Sequence, residues 1–186
     1  MIFNSLTYLL LLFLVVTLYW SFPYRARLIL IFTSSLVFYG FWKISFIPIL
    51  LISVIVDWFV AQRIYQCQKK HRFSLLLISL VVNLGLLFYF KYLIFFAENA
   101  LGFANLLGAK IDPFVLKIIL PLGISFYTFQ TISYTVDVYR KVIKPEKDFI
   151  VYACYVTFFP QLVAGPILRA REVISQFKKT NNLPTK

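Results

Sequence analysis

Histidine and cysteine are almost missing from this chain, which has 1 histidine and 2 cysteines in 186 residues. A zinc site needs several such ligands at close spacing, but His71 lies alone in the basic stretch "CQKKHR". Cys67 falls in the same stretch and Cys154 in an apolar one, which argues against a disulfide framework. The sequence therefore predicts no metal site and no disulfide bond.

The sequence motifs of common soluble enzymes are missing as well. The chain contains no Gly-rich phosphate loop and no HExxH, GxSxG or CxxC pattern. It also contains no internal repeat and no low-complexity tract. Taken alone, these residues identify no catalytic side chain.

Acidic residues are scarce, since 7 Asp and Glu stand against 19 Lys and Arg and give a net charge of +12. A basic protein can bind nucleic acid, but these positive residues form short clusters between apolar runs rather than one patch. Such clusters are typical of loops that face anionic lipid headgroups. We therefore expect the lipid bilayer as a partner and no nucleic acid.

Apolar residues are present in excess: 61% of the chain is hydrophobic, 19% is aromatic, and the mean hydropathy is +0.82. Soluble domains are about 45–50% apolar, and a helix that crosses a bilayer needs about 20 apolar residues. The sequence predicts an all-α, polytopic integral membrane protein with about five to six membrane segments. The segments cover residues 2–20, 28–42, 46–64, 74–96, 114–138 and 149–164.

The distribution of Lys and Arg predicts the orientation. The loops after the first, third and fifth segments hold ten of them, and the opposite face holds four. Because cytoplasmic loops carry the excess of positive residues, we expect a multi-pass protein of the inner or plasma membrane with its N-terminus outside. The N-terminal segment lacks the basic start and small-residue cleavage site of a signal peptide, so we expect it to remain as a span.

The sixth segment is expected to be broken. In "FFPQLVAGPILR", Pro160, Gly165 and Pro166 lie within seven residues, and proline interrupts a helix. Broken backbone at membrane depth is tolerated where it is buried in protein or lines a cavity. We expect this segment to enter from the cytoplasm, bend, and then either return or lie along a funnel. Residues 1–177 then form one membrane domain, and residues 178–186 form a polar tail that we interpret as a truncation point.

The stretch "LPLGISFYTFQTISYTVDVYR" carries polar side chains in an otherwise apolar helix. At helical spacing these side chains share one face. That face holds Gly123, Tyr127, Gln130, Tyr134 and Asp137, while Phe129, Ile132 and Val136 point elsewhere. Hydrogen bonding between helices and the lining of a substrate path both explain such a face. Asp137 can also pair with Arg140 or Lys141.

Two polar residues are expected deep in the membrane. Asp57 lies near the middle of the third segment and Asn83 at a similar depth in the fourth. A charged residue at that depth costs about 2.5–3.5 kcal/mol, so a hydrogen bond between Asp57 and Asn83 is plausible. A structural role and the lining of a polar tunnel remain equally open from the residues alone.

Three stretches, "NLGLLFYFKYLIFF", "LPLGISFYTFQTISYTVDVYR" and "FFPQLVAGPILRA", together resemble the membrane-bound O-acyltransferase family, in its alginate O-acetyltransferase branch. The segment "VDWFVAQRI" is similar to the third helix of that family. The resemblance implies a ring of membrane helices around a narrow channel. It also implies transfer of an acyl group, often acetyl, to a hydroxyl of an exported polysaccharide. The implied donor is cytoplasmic, with acetyl-CoA as the candidate, and polysaccharide-modifying extracytoplasmic proteins are the implied partners.

The resemblance also implies which residues border the channel. The conduit or substrate-path candidates are Gln130, Tyr134, Asp137, Arg140, Gln161 and Arg169. Pro160, Gly165 and Pro166 are the candidates for the bend, and Arg169 is a candidate for holding a phosphate or carboxylate at the cytoplasmic mouth.

The chain departs from the family pattern in one respect. The catalytic histidine of the family lies in the second half of its members, past the equivalent of Lys186, and His71 matches no family motif. We therefore expect the chain to be the N-terminal portion of such an enzyme, inactive until a missing C-terminal half or a partner supplies the histidine. The alternatives are a non-catalytic membrane scaffold or truncated product, and a transporter-like subunit.

Overall fold

The computed structural model describes residues 5–106, 119–162, 165 and 168–179, and the regular structure in these residues is helical. The all-α prediction is therefore confirmed. The helices are α1 (Leu6–Ser21), α2 (Tyr24–Lys43), α3 (Ile47–Gln66), α4 (Lys69–Leu87), α5 (Leu93–Leu106), α6 (Ile124–Tyr139), α7 (Phe149–Thr157), α8 (Phe159–Leu162) and α9 (Ala170–Lys179).

Two helical stretches in the described residues, Tyr24–Gln66 and Lys69–Tyr92, are long and apolar enough to cross a membrane. Leu6–Ser21 and Phe149–Leu162 are shorter apolar helices. Large apolar side chains such as Phe13 are more than half exposed. This composition is consistent with a membrane protein, while the number of segments stays a prediction.

The chain reverses between α2 and α3. Lys43 leaves helical conformation at φ −164° and ψ 118°, and a short 3₁₀ turn follows it. Arg25 at the start of α2 and Gln62 near the end of α3 both contact residues in the loop before α7. The two helices therefore run antiparallel.

Helix α4 begins earlier than expected from the sequence. The sequence predicts a loop between the third and fourth segments, at residues 65–73, but Lys69 to Arg72, including His71, form the first turn of α4. A π-helical turn over Phe88–Tyr92 links α4 to α5. Helices α3, α4 and α6 pack against one another and contain the buried polar residues described below.

Helix α6 begins later than expected. The sequence predicted a segment from residue 114, but residues 114–118 lie outside the described residues and the helix starts at Ile124. Gly123 caps it at φ 68°, the left-handed region that glycine adopts at little cost. A Cβ at Gly123 would lie 2.5 Å from the carbonyl oxygen of Leu162, so this turn also needs glycine for space.

The expected break in the sixth segment is present, and it falls at Phe158. Helix α7 ends at Thr157, and Phe158 has φ −51° and ψ 106° before the single-turn helix α8. Pro160 explains the position, because a proline ring clashes with the carbonyl four residues earlier. Pro166 lies outside the described residues. Helix α9 then brings Lys178 to Glu146, just before α7.

Candidate functional site

A buried carboxylate lies at the centre of the packed helices. Asp57 on α3 is 0% exposed. One of its oxygens accepts a hydrogen bond from the Ser79 hydroxyl, and the other accepts one from Asn83 Nδ2 at 2.7 Å. The structure thus joins the two polar residues singled out in the sequence. A buried acid needs such donors, because an unpaired charge away from water is costly.

Asn83 extends this contact to a third helix. Its Oδ1 accepts hydrogen bonds from Ser53 at 2.5 Å and from Thr131 on α6 at 3.2 Å. Its Nδ2 also donates to the Ser79 carbonyl at 2.9 Å. We call Ser53, Asp57, Ser79, Asn83 and Thr131 the polar core. The five side chains join α3, α4 and α6 through groups that are fully buried.

The sequence analysis missed three members of the polar core. Ser53 lies four residues before Asp57, and Ser79 lies four residues before Asn83. Residues four apart in a helix lie on the same face. This spacing was the available signal, but serine and threonine also bond to the backbone of their own helix, as Ser35 does here.

The polar face of α6 is turned into the protein. Tyr127, Gln130 and Tyr134 are 1% exposed or less, whereas Phe129 is 49% exposed on the opposite side. Gln130 Nε2 donates to the Tyr155 carbonyl of α7 at 2.8 Å. The Tyr134 hydroxyl accepts a hydrogen bond from the Glu146 backbone N–H at 2.9 Å. These contacts link α6 to α7 and to the loop before it.

Several polar atoms next to this face have no protein partner among the described residues. They are Gln130 Oε1, Thr128 Oγ1, Thr135 Oγ1 and the Tyr152 hydroxyl. Tyr152 packs on Tyr134 with ring centroids 4.5 Å apart, and Tyr155 lies 6.2 Å from Tyr152. Buried polar atoms are almost always satisfied in native proteins. The four atoms therefore remain candidates for hydrogen bonding to a further polar group.

Of the charged candidates, Asp137 and Arg140 lie at the end of α6, and Arg169 lies directly before α9. Asp137 is half-buried, and Arg140 and Arg169 are exposed. Among the described residues, the ion pairs join Arg25 to Asp148 and Lys178 to Glu146. The expected pairing of Asp137 with Arg140 or Lys141 was wrong, because α6 ends at Tyr139 and Lys141 turns the backbone away at φ 61°.

Gln161 and Pro160 lie away from the polar core. They line an apolar groove of about 490 Å³ between α1, α2, α8 and α9, together with Leu12, Ile31 and Phe177. Gly165 lies four residues after Gln161, and its N–H donates a hydrogen bond to the Gln161 carbonyl at 2.9 Å. A Cβ at Gly165 would lie 2.5 Å from Gln161 Cγ, so the chain bends tightly at this glycine.

Glu146 is a buried contact point that the sequence analysis did not identify. Its carbonyl accepts hydrogen bonds from Trp58 Nε1 at 2.8 Å and Gln62 Nε2 at 2.6 Å. Its carboxylate pairs with Lys178 at 2.6 Å and accepts the Asp148 N–H at 3.1 Å. No local pattern in "KPEKD" distinguishes this glutamate from an exposed one. It fixes the loop between α6 and α7 against α3 and α9.

The polar core and the polar face of α6 together contain buried hydroxyl, amide and carboxylate groups. Within the described part of the chain, no group of three or more His, Cys, Asp or Glu side chains can hold a metal ion. His71 is exposed in the first turn of α4, far in sequence from the polar face of α6.

Comparison with known proteins finds O-acetyltransferases. The chain is 37% identical over 183 residues to the "Probable alginate O-acetylase AlgI" of Azotobacter vinelandii, covering 95% of this chain and 36% of that protein. It is 36% identical over 174 residues to the peptidoglycan O-acetyltransferase of Helicobacter pylori, covering 80% of this chain and 32% of that protein. The "Probable alginate O-acetylase AlgI" of Pseudomonas aeruginosa is 36% identical over 181 residues, which cover 95% of this chain and 34% of that protein.

The chain thus spans about a third of the length of these relatives. No family model and no solved structure matches it.

Proposed function

Because this chain is a relative of alginate O-acetylases and of a peptidoglycan O-acetyltransferase, as its resemblance to the membrane-bound O-acyltransferases implied, we propose that it forms part of a membrane acetyltransferase. The enzyme transfers acetyl groups to hydroxyls of an exported polysaccharide. The observation that carries this proposal is sequence similarity over nearly the whole chain. Acetyl-CoA is the proposed donor, and polysaccharide-modifying extracytoplasmic proteins are the proposed partners.

In this proposal the described helices border the acyl path and do not perform the chemistry. Gln130, Tyr134 and Asp137 border it along α6, and Gln161 borders it at the broken helix. Arg140 and Arg169 lie at its cytoplasmic mouth. The unpaired Gln130 Oε1 and Tyr152 hydroxyl support a polar path beside α6. General-base activation of the acceptor hydroxyl needs a group within hydrogen-bonding reach, which a longer chain or a partner supplies.

We propose that the protein crosses the inner membrane several times, with about five to six segments and its N-terminus outside. The last segment enters from the cytoplasm, bends at Phe158 and returns. The ion pair between Glu146, before α7, and Lys178, in α9, supports the return, since it brings the two ends of this region together.

The test is complementation with the full-length gene carrying Gln161→Ala. We expect the acetyl content of the exported polysaccharide, measured as acetate released by base, to fall about tenfold, within the range seen when a positioning group is lost. Phe129→Leu is the matched control, because Phe129 faces away from the protein interior. Unchanged acetyl content for Gln161→Ala at normal protein level would contradict the role of Gln161, and unchanged content after gene deletion would contradict the function.

A further inference from the structure

A basic pocket lies near the ends of α3 and α6 and the start of α4. Tyr65 near the end of α3, Arg72 in α4, and Lys141 and Lys144 after α6 line a cavity of about 480 Å³. We call these four residues the basic pocket. The remaining lining residues are apolar, and none of the acidic side chains in the described part of the chain lines the cavity. Three positive charges from two separate parts of the chain, α4 and the loop after α6, therefore border one space.

The cations of the basic pocket have no acidic partner among the described residues. The two acids of the adjoining loop are already paired, Glu146 with Lys178 and Asp148 with Arg25. Asp137 precedes the pocket on α6 but does not line it. Like charges held together in this way favour the binding of an anion, because it gives each cation a counterion that the described residues do not supply.

The backbone around the basic pocket is held in place. Lys141 adopts φ 61°, a conformation that costs a residue other than glycine about 1–2 kcal/mol. Hydrogen bonds from the Lys141 N–H to the Val138 carbonyl and from the Val142 N–H to the Asp137 carbonyl stabilise it. Arg72 Nε donates to the Cys67 carbonyl at 3.1 Å. Arginine has five N–H donors, so others remain for a ligand.

We propose that the basic pocket binds a phosphate group, such as that of an anionic phospholipid headgroup. The pocket lies at the end of α3 and α6 and the start of α4. The positive-inside rule predicts that a helix end with such an excess of positive charge faces anionic headgroups. Arginine matches phosphate oxygens in a two-pronged geometry, and lysine adds positive charge. This binding is separate from acyl transfer and does not depend on it.

The test is native mass spectrometry of the detergent-purified full chain with equal amounts of phosphatidylglycerol and phosphatidylcholine. We expect a preference for phosphatidylglycerol. Lys141→Asn with Lys144→Gln should weaken that preference roughly fivefold for each cation removed. Asparagine is chosen because it tolerates positive φ. Lys144→Gln alone, at an exposed site, gives a second variant that does not alter the strained position.

Lys69→Gln with Lys70→Gln is the matched control. It removes the same charge from exposed positions beside the pocket that do not line it, and it should keep the preference. An equal loss in both double variants would overturn the proposal, since attraction would then be diffuse. Added inorganic phosphate distinguishes free phosphate from a lipid headgroup as the ligand. If it displaces the lipid, phosphate alone occupies the pocket. If it does not, the lipid headgroup is required.

Discussion

At the scale of single residues, the Asn83 side chain has four hydrogen bonds to lose. Its amide donates to Asp57 and accepts from Ser53 and Thr131, so one side chain satisfies partners on two other helices. Asn83→Leu leaves the Asp57 carboxylate with one donor fewer and the Ser53 hydroxyl without its acceptor, while Thr131 keeps its bond to a carbonyl of its own helix. We expect unfolding in detergent to become easier by about 2 kcal/mol, since hydrogen bonds to charged groups contribute about 1.5–3 kcal/mol.

A double-mutant cycle separates this effect from packing. Asp57→Leu combined with Asn83→Leu should cost less than the sum of the single changes, because the second change then strands no charge. Val81→Leu is the control on the same helix, since Val81 is 68% exposed. Additive costs for the two leucine changes would show that Asp57 and Asn83 are not energetically coupled.

Two glycines allow a matched test of backbone conformation. Gly123→Ala places a Cβ at positive φ and 2.5 Å from the Leu162 carbonyl oxygen, so we expect a loss of at least about 2 kcal/mol, from conformation and clash together. Gly85→Ala meets nothing within 4 Å inside α4. It should instead stabilise by about 0.5–1 kcal/mol. Thermal unfolding of both variants measures the contrast, and similar values would exclude the tight turn at Gly123.

Only some residues of the polar core could be predicted from the sequence. Asp57 and Asn83 stood out because an acid and an amide are expensive in an apolar segment. Ser53, Ser79 and Thr131 did not, because a hydroxyl can satisfy itself on its own helix. Whether it does so depends on which helix packs beside it. The tertiary structure determines which helices pack together, and this packing cannot be deduced from a single sequence.

At the scale of the elements, the spacing of apolar residues predicted the buried faces of the helices better than the residues at which the helices begin. The buried and exposed sides of α6 follow the helical wheel, with Gln130 inside and Phe129 outside. Its start was misplaced because apolar composition continues through Leu120 and Leu122, whereas Gly123 breaks the conformation. The start of α4 was misplaced for the opposite reason. Lysines at a helix start oppose the macrodipole, yet the helix forms there.

Helix α9 provides an element-scale prediction. Its Lys178 pairs with the buried Glu146 carboxylate, so Glu146→Gln keeps the size and the acceptor for Asp148 N–H but removes the ionic contact. We expect amide exchange in α9 to become roughly fivefold faster, which corresponds to about 1 kcal/mol for a pair with one exposed partner. Hydrogen exchange read by mass spectrometry measures this.

The control for α9 is the neighbouring lysine. Lys178→Gln should match Glu146→Gln, whereas Lys179→Gln, also exposed and in the same last turn, should leave exchange near the original rate. If Lys179→Gln had the same effect as Lys178→Gln, general attraction of cations to the helix end would account for the result, and the specific pair would not.

At the scale of the whole molecule, the ion pairs place distant parts of the chain at one end. Arg25 at the start of α2 meets Asp148 at the start of α7, and Lys178 of α9 meets Glu146 two residues earlier. Lys43, at the other end of α2, lies away from this group because α2 is a continuous helix between them. The contacts thus define two ends of the bundle without reference to a membrane.

The positive-inside rule assigns the Arg25 end to the cytoplasm, and cysteine labelling in intact cells tests that assignment. In a background lacking the native thiols, Ser175→Cys in α9 should react with an impermeant maleimide only after permeabilisation. Lys43→Cys should react from outside. Both positions are exposed, so lack of reaction reflects the membrane and not burial. Labelling of both in intact cells would mean that α9 lies outside, and the last segment would then cross the membrane completely instead of returning.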